Sequence, residues 1–229
     1  YSVSFYGTGT ITFSGTYTGS LIGTGLNDRV TATFLATAGT LTSTVSGTVT
    51  KAQIEQLRFA TSYIPTDGTI VTRNQDVCTN GGSAASINST EGVLYAEISA
   101  LANSGTFRLI SLNDGTANNL VYIGYDATAN RITFSVRVAT SYVFLNTYNI
   151  SNATDVAKIA LKYKENDFSL FYNGTEVSTD SSGVIFPTNT LTKLSFDRVV
   201  ALPFFGNTKC VAIWKEALTD AELTALTTI

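Results

Sequence analysis

The chain has 229 residues, a formal net charge of −3 and only 14% charged side chains, against about a quarter in an average soluble domain. Lys and Arg form no cluster, which excludes the electrostatic footprint of a nucleic-acid-binding protein. No run approaches the roughly 18 apolar residues that mark a membrane helix. Histidine is absent, which excludes Ser-His-Asp and Cys-His nucleophiles and any His-ligated zinc. Methionine is absent too, and the chain starts Tyr1-Ser2-Val3, so it reads as a processed chain or, preferably, as part of a longer polypeptide. Thr, Ser, Gly and Asn fill the space left by charge, a balance that suits strands joined by tight turns.

The first segment runs from Tyr1 to Thr66. Thr10–Phe13, Val30–Phe34 and Thr40–Val45 alternate apolar with Thr or Ser, the period of a half-buried strand. Gly15, Gly19, Gly23, Gly25, Gly39 and Gly47 punctuate them. Lys51–Phe59 has helix-favouring residue types but follows a strand and precedes Tyr63-Ile64-Pro65, and residues 52 to 60 are assigned to a strand because the block resembles the last strand of a jelly-roll domain. Four or five strands result, and a half-sandwich of that size would leave an apolar face for something else to cover.

The second segment runs from Asp67 to Ile229. Strands are expected over Gly92–Ile98, Gly105–Leu112, Asn119–Tyr125 and Arg131–Val138, a regular series that argues for a sandwich. Ile159–Tyr163 and Phe168–Tyr172 form a hairpin. Asn173-Gly174 then signals a two-residue type I′ turn, because both central positions need positive φ. Phe205–Trp214 reads as a last strand, and Thr219 with Glu222 as a capping box that opens a short helix, with Leu223 and Leu226 on its packing face. Trp214 is read as an anchor of that last strand, the alternative being an exposed ring that stacks on a sugar. The two cysteines, Cys78 and Cys210, either pair or stay as thiols.

Two resemblances follow from these motifs. The order strand, Lys164-Glu165-Asn166-Asp167, strand, Tyr172-Asn173-Gly174, strand, together with the closing Ala217-Leu218-Thr219-Asp220-Ala221-Glu222-Leu223, resembles the concanavalin A-like (laminin-G/pentraxin-like) sandwich. It covers residues 67 to 229. Residues 1 to 66, ending in Thr61-Ser62-Tyr63-Ile64-Pro65-Thr66, resemble the end of a jelly-roll carbohydrate-binding-like domain of phage tail and fibre proteins. The fold expected is all-β: an antiparallel β-sandwich over residues 67–229 with a smaller N-terminal β unit over residues 1–66.

Some members of that superfamily are glycosidases with a Glu-x-Asp-x-Glu strand, whose paired carboxylates carry the reaction. Here Glu165-Asn166-Asp167 lies in a turn, and Ser169 stands where the second Glu is needed, so no enzyme is expected. Sugar binding in such folds uses Asn and aromatic residues. Tyr142, Phe144 and Tyr148 with Asn146 and Asn149 form the candidate cluster, a ligand site if the rings face solvent and part of the core if they face inward. Asn113, Asp114 and Asp126, with Asn118 and Asn119 nearby, carry oxygens of the type calcium takes, and are equally ordinary turn formers. No cofactor is expected; calcium is the one these residue types would admit. Asn88, Asn149, Asn152 and Asn173 match the N-glycosylation pattern, which carries meaning only in a eukaryotic secretory setting.

The two resemblances together imply a virion structural or adhesion protein of a tailed bacteriophage. As a fibre, spike or capsid-decorating component, it would meet surface glycans or other virion proteins, as a homo-oligomer, a trimer in many such proteins. The alternative is a carbohydrate-binding module of a secreted bacterial enzyme or adhesin. Neither reading involves nucleic acid or a membrane.

Overall fold

A computed structural model describes residues 1–57, 59–72, 81–199 and 201–229. The chain forms two compact units, Tyr1–Gln75 and Asp76–Ile229. Cys78 lies outside the described residues, so the Cys78–Cys210 question does too; Cys210 is exposed.

The first unit has six strands: β1 (Ser2–Gly7), β2 (Thr10–Gly15), β3 (Gly19–Ile22), β4 (Gly25–Thr33), β5 (Leu41–Ser46) and β6 (Val49–Glu55). They form two antiparallel three-stranded sheets, β4-β1-β6 and β3-β2-β5. Val3 and Phe5 from one sheet and Ile11 and Phe13 from the other bury together with Phe34. The β1–β2 link leaves one sheet and enters the other through Gly7 (φ +136°), where a Cβ would collide with the Thr48 carbonyl.

This corrects the expected half-sandwich. The sequence reading missed β1 and β3, and these strands complete two sheets that pack on each other. What survives of the bare face is an open side: Val45 and Ile54 stand opposite the buried Ile11 and Val3, yet on outer strands they are 54% and 45% exposed. The last strand also stops at Glu55 instead of running to residue 60.

The segment after β6 is not a free linker. Ser2 Oγ donates to the Phe59 carbonyl, and Arg29 bridges the Ser4 hydroxyl (2.6 Å) and the Thr61 carbonyl (2.5 Å). Thr61 N donates to Glu55 (2.9 Å) and Ile64 N to Gln53 Oε1 (2.8 Å). This cover buries Ser2 and Ser4 on the side of β1 away from the core.

The second unit is an antiparallel β-sandwich of two five-stranded sheets. One contains β7 (Glu91–Ala100), β12 (Ala157–Lys164), β13 (Phe168–Tyr172), β14 (Thr175–Asp180) and β16 (Gly206–Trp214), in the order β14-β13-β12-β7-β16. The other contains β8 (Arg108–Asn113), β9 (Leu120–Tyr125), β10 (Arg131–Val138), β11 (Ser141–Asn149) and β15 (Lys193–Ser195), in the order β11-β10-β9-β8-β15. Between them lie Leu94, Ile98, Ile110, Ile123, Phe134, Leu161, Leu170 and their neighbours. Each fully buried side chain of this size contributes about 1.5–3 kcal/mol. Asn173 and Gly174 both take positive φ (48° and 81°), as a type I′ hairpin requires.

Candidate functional site

A sandwich has two outer faces, and the second unit treats them differently. The outer face of β14-β13-β12-β7-β16 is covered by a helix over its central strands, while Glu176 and Cys210 at its two edges stay exposed. Helix α1 (Asp220–Thr227) opens with the expected Thr219/Glu222 capping box. It lays Leu223 and Leu226 on Val93, Tyr95, Ala160 and Phe171, with Trp214 and Leu218 at the side. The Trp214 ring meets Tyr95 edge-on at 6.0 Å, so it anchors the strand as expected. Lys162 rises through this layer, its side chain nearly buried, and pairs with Asp167 (2.7 Å) and Asp220 (2.9 Å). Asp167, in the β12–β13 turn, is thus engaged in an ion pair.

The outer face of β11-β10-β9-β8-β15 is sealed at one side only. There the segment after β15 crosses β8 and β9. Ser111 donates to the Asp197 carbonyl (2.7 Å), Leu109 N to the Leu202 carbonyl, and Leu202 packs on Leu109, Leu120 and Tyr122. This strap contains Val199 (φ +53°) and Leu202 (φ +55°). A branched side chain in the left-handed region costs on the order of 1–3 kcal/mol. The turn is closed by Arg198 N donating to the Ala201 carbonyl (2.7 Å).

On β11 the same face stays open. Tyr142, 44% exposed, and Leu145, 50% exposed, stand on it, followed by the exposed Thr147 and Asn149. The register explains their common direction: Tyr142, Leu145, Thr147 and Asn149 lie opposite Arg137, Ser135, Thr133 and Arg131, with a bulge between Val136 and Arg137. The Arg137 guanidinium sits over the Tyr142 ring at 5.0 Å. It is fixed by donating to the carbonyls of Thr140 (2.9 Å) and Ala117 (2.8 Å). From the strap, Arg198 Nη2 donates to the Tyr142 hydroxyl (3.3 Å), and its guanidinium lies 6.0 Å from the Tyr122 ring centre. Among the described residues neither arginine has a carboxylate partner.

Tyr122 lies beneath this cluster. Burial raises its phenol pKa, against the opposing effect of the Thr133 and Ser135 hydroxyls and the Arg198 charge, so it remains a neutral donor. The Ser135 hydroxyl, although close to Tyr122, is buried without a hydrogen bond of good geometry.

The candidate sugar-binding residues therefore divide. Tyr142 and Asn149 belong to the open face. Phe144 is core, packed on Phe134 (5.4 Å) and Phe168 (5.9 Å). Tyr148 packs toward the interior on Tyr172 (5.7 Å), and Asn146 reaches across to Ser178 on β14 (3.3 Å). The reason is that all five lie on a strand, where successive side chains point to opposite faces, and that the bulge opposite Val136/Arg137 shifts Tyr142 onto the face that Phe144 leaves. The strand's partners Arg137 and Tyr122, and above all Arg198, were not picked out from the sequence.

The candidate calcium ligands do not converge. Asn113 pairs opposite Leu120 at one end of the β8–β9 hairpin, whereas Asp126 follows Tyr125, which pairs opposite Arg108 at the other. That is about 20 Å along the strands. Each is also occupied. Asn113 bonds Ser111, Ser195 and Gly115 N. Asp114 accepts from Thr116 and Asn119, bonds that outweigh the upward pull of burial and hold its pKa below the ordinary value. Asp126 accepts from Thr128 N and from Arg131 (2.6 Å). No group of three or more acidic or Cys side chains placed to hold a metal ion exists among the described residues.

No protein-family model matches the sequence, and no curated protein matches it either. Solved structures do match. The CBM40 of the Ruminococcus gnavus IT-sialidase, bound to α2,3 sialyllactose, aligns with a TM-score of 0.50 at 17% identity, over 67% of this chain and 97% of that one. Domain 4 of an extracellular GH43 arabinanase from Geobacillus stearothermophilus, in complex with arabinotriose, aligns with a TM-score of 0.50 at 12% identity, over 68% and 82%. The NanB sialidase of Streptococcus pneumoniae aligns with a TM-score of 0.50 at 14% identity over 62% of this chain, but only 24% of its own length. At these identities the likeness is one of fold, and it agrees with the β-sandwich expected from the sequence.

Proposed function

We propose that this protein is a glycan-binding β-sandwich module, whose ligand lies on the outer face of β10 and β11. The observation that carries this reading is the asymmetry of the two outer faces. One has its apolar centre covered by α1, while the other leaves Tyr142 and Leu145 exposed beside two arginines and the polar Thr147 and Asn149. An aromatic ring with hydroxyl and amide groups around it suits a sugar, which offers C–H faces and hydroxyls together. Folds of this kind carry sialyllactose in one neighbour and arabinotriose in another, which supports the same class of role here.

The module would act by binding and not by turnover, in keeping with the engagement of Asp167 by Lys162. The neighbours solved with sialyllactose and arabinotriose favour the module of a secreted enzyme or adhesin over the virion protein. The virion reading drew on the pairing of the two resemblances through Thr61–Thr66, and nothing in the strands of residues 1–66 adds to that motive. The reported neighbours add nothing to it.

The test is a broad glycan array probed with the purified chain and with Tyr142→Ala. Retention of one glycan class by the native chain, lost in the variant, is the expected result. Binding unaffected by Tyr142→Ala would remove the site from this face.

A further inference from the structure

The β-sandwich fold leaves open whether the ligand is neutral or charged; the side chains on the open face do not. We propose that the ligand is an acidic glycan, whose sugar oxyanion is received by Arg198 with Arg137 beside it. This rests on the reading of the β10–β11 face as the ligand site.

Arg198 carries the argument. Five N–H donors fan out from a guanidinium, yet the long 3.3 Å bond to the Tyr142 hydroxyl is its single side-chain hydrogen bond among the described residues. The group is half-buried, lies over Tyr122, and projects from a turn whose next residue, Val199, is strained. A guanidinium with one long side-chain hydrogen bond, and with no carboxylate within ion-pair distance among the described residues, has its fork available for an oxyanion in bidentate geometry. Arg137, whose Nε and Nη1 donate to backbone carbonyls, adds a second positive charge over the Tyr142 ring. Tyr142 and Leu145 would then meet the apolar face of the same sugar, and Thr147 and Asn149 its hydroxyls. The other arginines of the unit are differently placed. Arg131 is paired with Asp126, and Arg108 is buried against Phe205 and Tyr125.

Matched pairs of probes test this. They are sialyllactose against lactose, oligogalacturonate against its carboxyl-reduced form, and a 6-sulfated galactoside against the galactoside, titrated by calorimetry with the full chain. The expected result is that the acidic member of at least one pair binds at least about tenfold more tightly than its neutral partner. That preference should shrink between about 0.05 and about 0.5 M salt. Arg198→Gln should remove it and Arg198→Lys restore part of it, with an unchanged melting temperature showing that both variants fold. The pair that responds identifies carboxylate or sulfate as the group received. Equal binding of both members, lost in Tyr142→Ala but not in Arg198→Gln, would overturn the acidic ligand and leave the glycan-binding face standing. Binding of no acidic probe would overturn the proposal, and a neutral glycan retained on the array would then show that the face itself still serves.

Discussion

Lys162 Nζ lies 2.9 Å from Asp220 Oδ1, so a nearly buried ammonium on β12 is tied to the first turn of the helix that covers the centre of its sheet. The second partner, Asp167 at 2.7 Å, is half-exposed and Asp220 more so, and each pair alone is a weak contributor in such solvent. Together they matter because of what their loss leaves behind. The double variant Asp167→Asn/Asp220→Asn strands a buried cation, and should cost about 2–3 kcal/mol. Lys162→Met, which removes the cation as well, should cost less. Chemical denaturation of the two variants checks the order. Burial lowers the Lys162 pKa, but the two aspartates outweigh it and leave it raised. The contribution is therefore complete below the ordinary lysine value of about 10.4 and declines as pH rises through the higher folded value. Double-variant and native stabilities should converge in strong alkali.

Tyr142 and Phe144 are two residues apart and serve opposite purposes, because the bulge at Val136/Arg137 breaks the simple alternation between them. Phe144→Ala empties a core site and should cost about 3–5 kcal/mol. Tyr142→Ala should change stability by less than about 1 kcal/mol while abolishing glycan retention. Melting curves and the array, run on both variants, separate the two roles.

At the C-terminus, Leu223 is fully buried beneath α1. Leu223→Ala should cost about 2–4 kcal/mol, and Thr219→Ala, which dissolves the capping box, about 1 kcal/mol. Amide exchange should show the loss in the helix first.

In the first unit, burial raises the Glu55 pKa, but hydrogen bonds from Thr61 and Gln53 and the Arg29 charge more than offset this and leave it lowered. The contact is thus intact above the ordinary glutamate value of about 4.3 and is lost as pH falls through the lower folded value. Exchange at the Thr61 amide should accelerate in that acid range, and Glu55→Gln should make it fast already at neutral pH.

Asn113, Asp114 and Asp126 are committed to protein donors at two separate ends of a hairpin. Adding millimolar calcium or a chelator should leave the melting temperature within about 1 °C; a rise of several degrees with calcium would place an ion elsewhere in the chain.

Much of the fold was legible because it is local. Alternation marked β2 and β5, Asn173-Gly174 marked its turn, and Thr219 with Glu222 marked the helix start, since each depends on neighbours a few residues away. The aromatic series from Tyr142 to Tyr148 was legible as a cluster but not as a strand with two faces. Strand β7 was expected over Gly92–Ile98, but that both its faces are buried, one against the core and one partly under α1, was not legible. The sequence by itself determined an all-β sandwich, the residue types of a candidate sugar-binding surface and the lack of histidine chemistry. Only the tertiary structure decided which outer face is open, that Phe144 belongs to the core, and that Asp126 stands apart from Asp114. It also brought Arg198 from a strap 56 residues away onto the Tyr142 hydroxyl. Local patterns set strands and turns through short-range sterics and burial. A face is exposed or covered only by what distant segments lay across it.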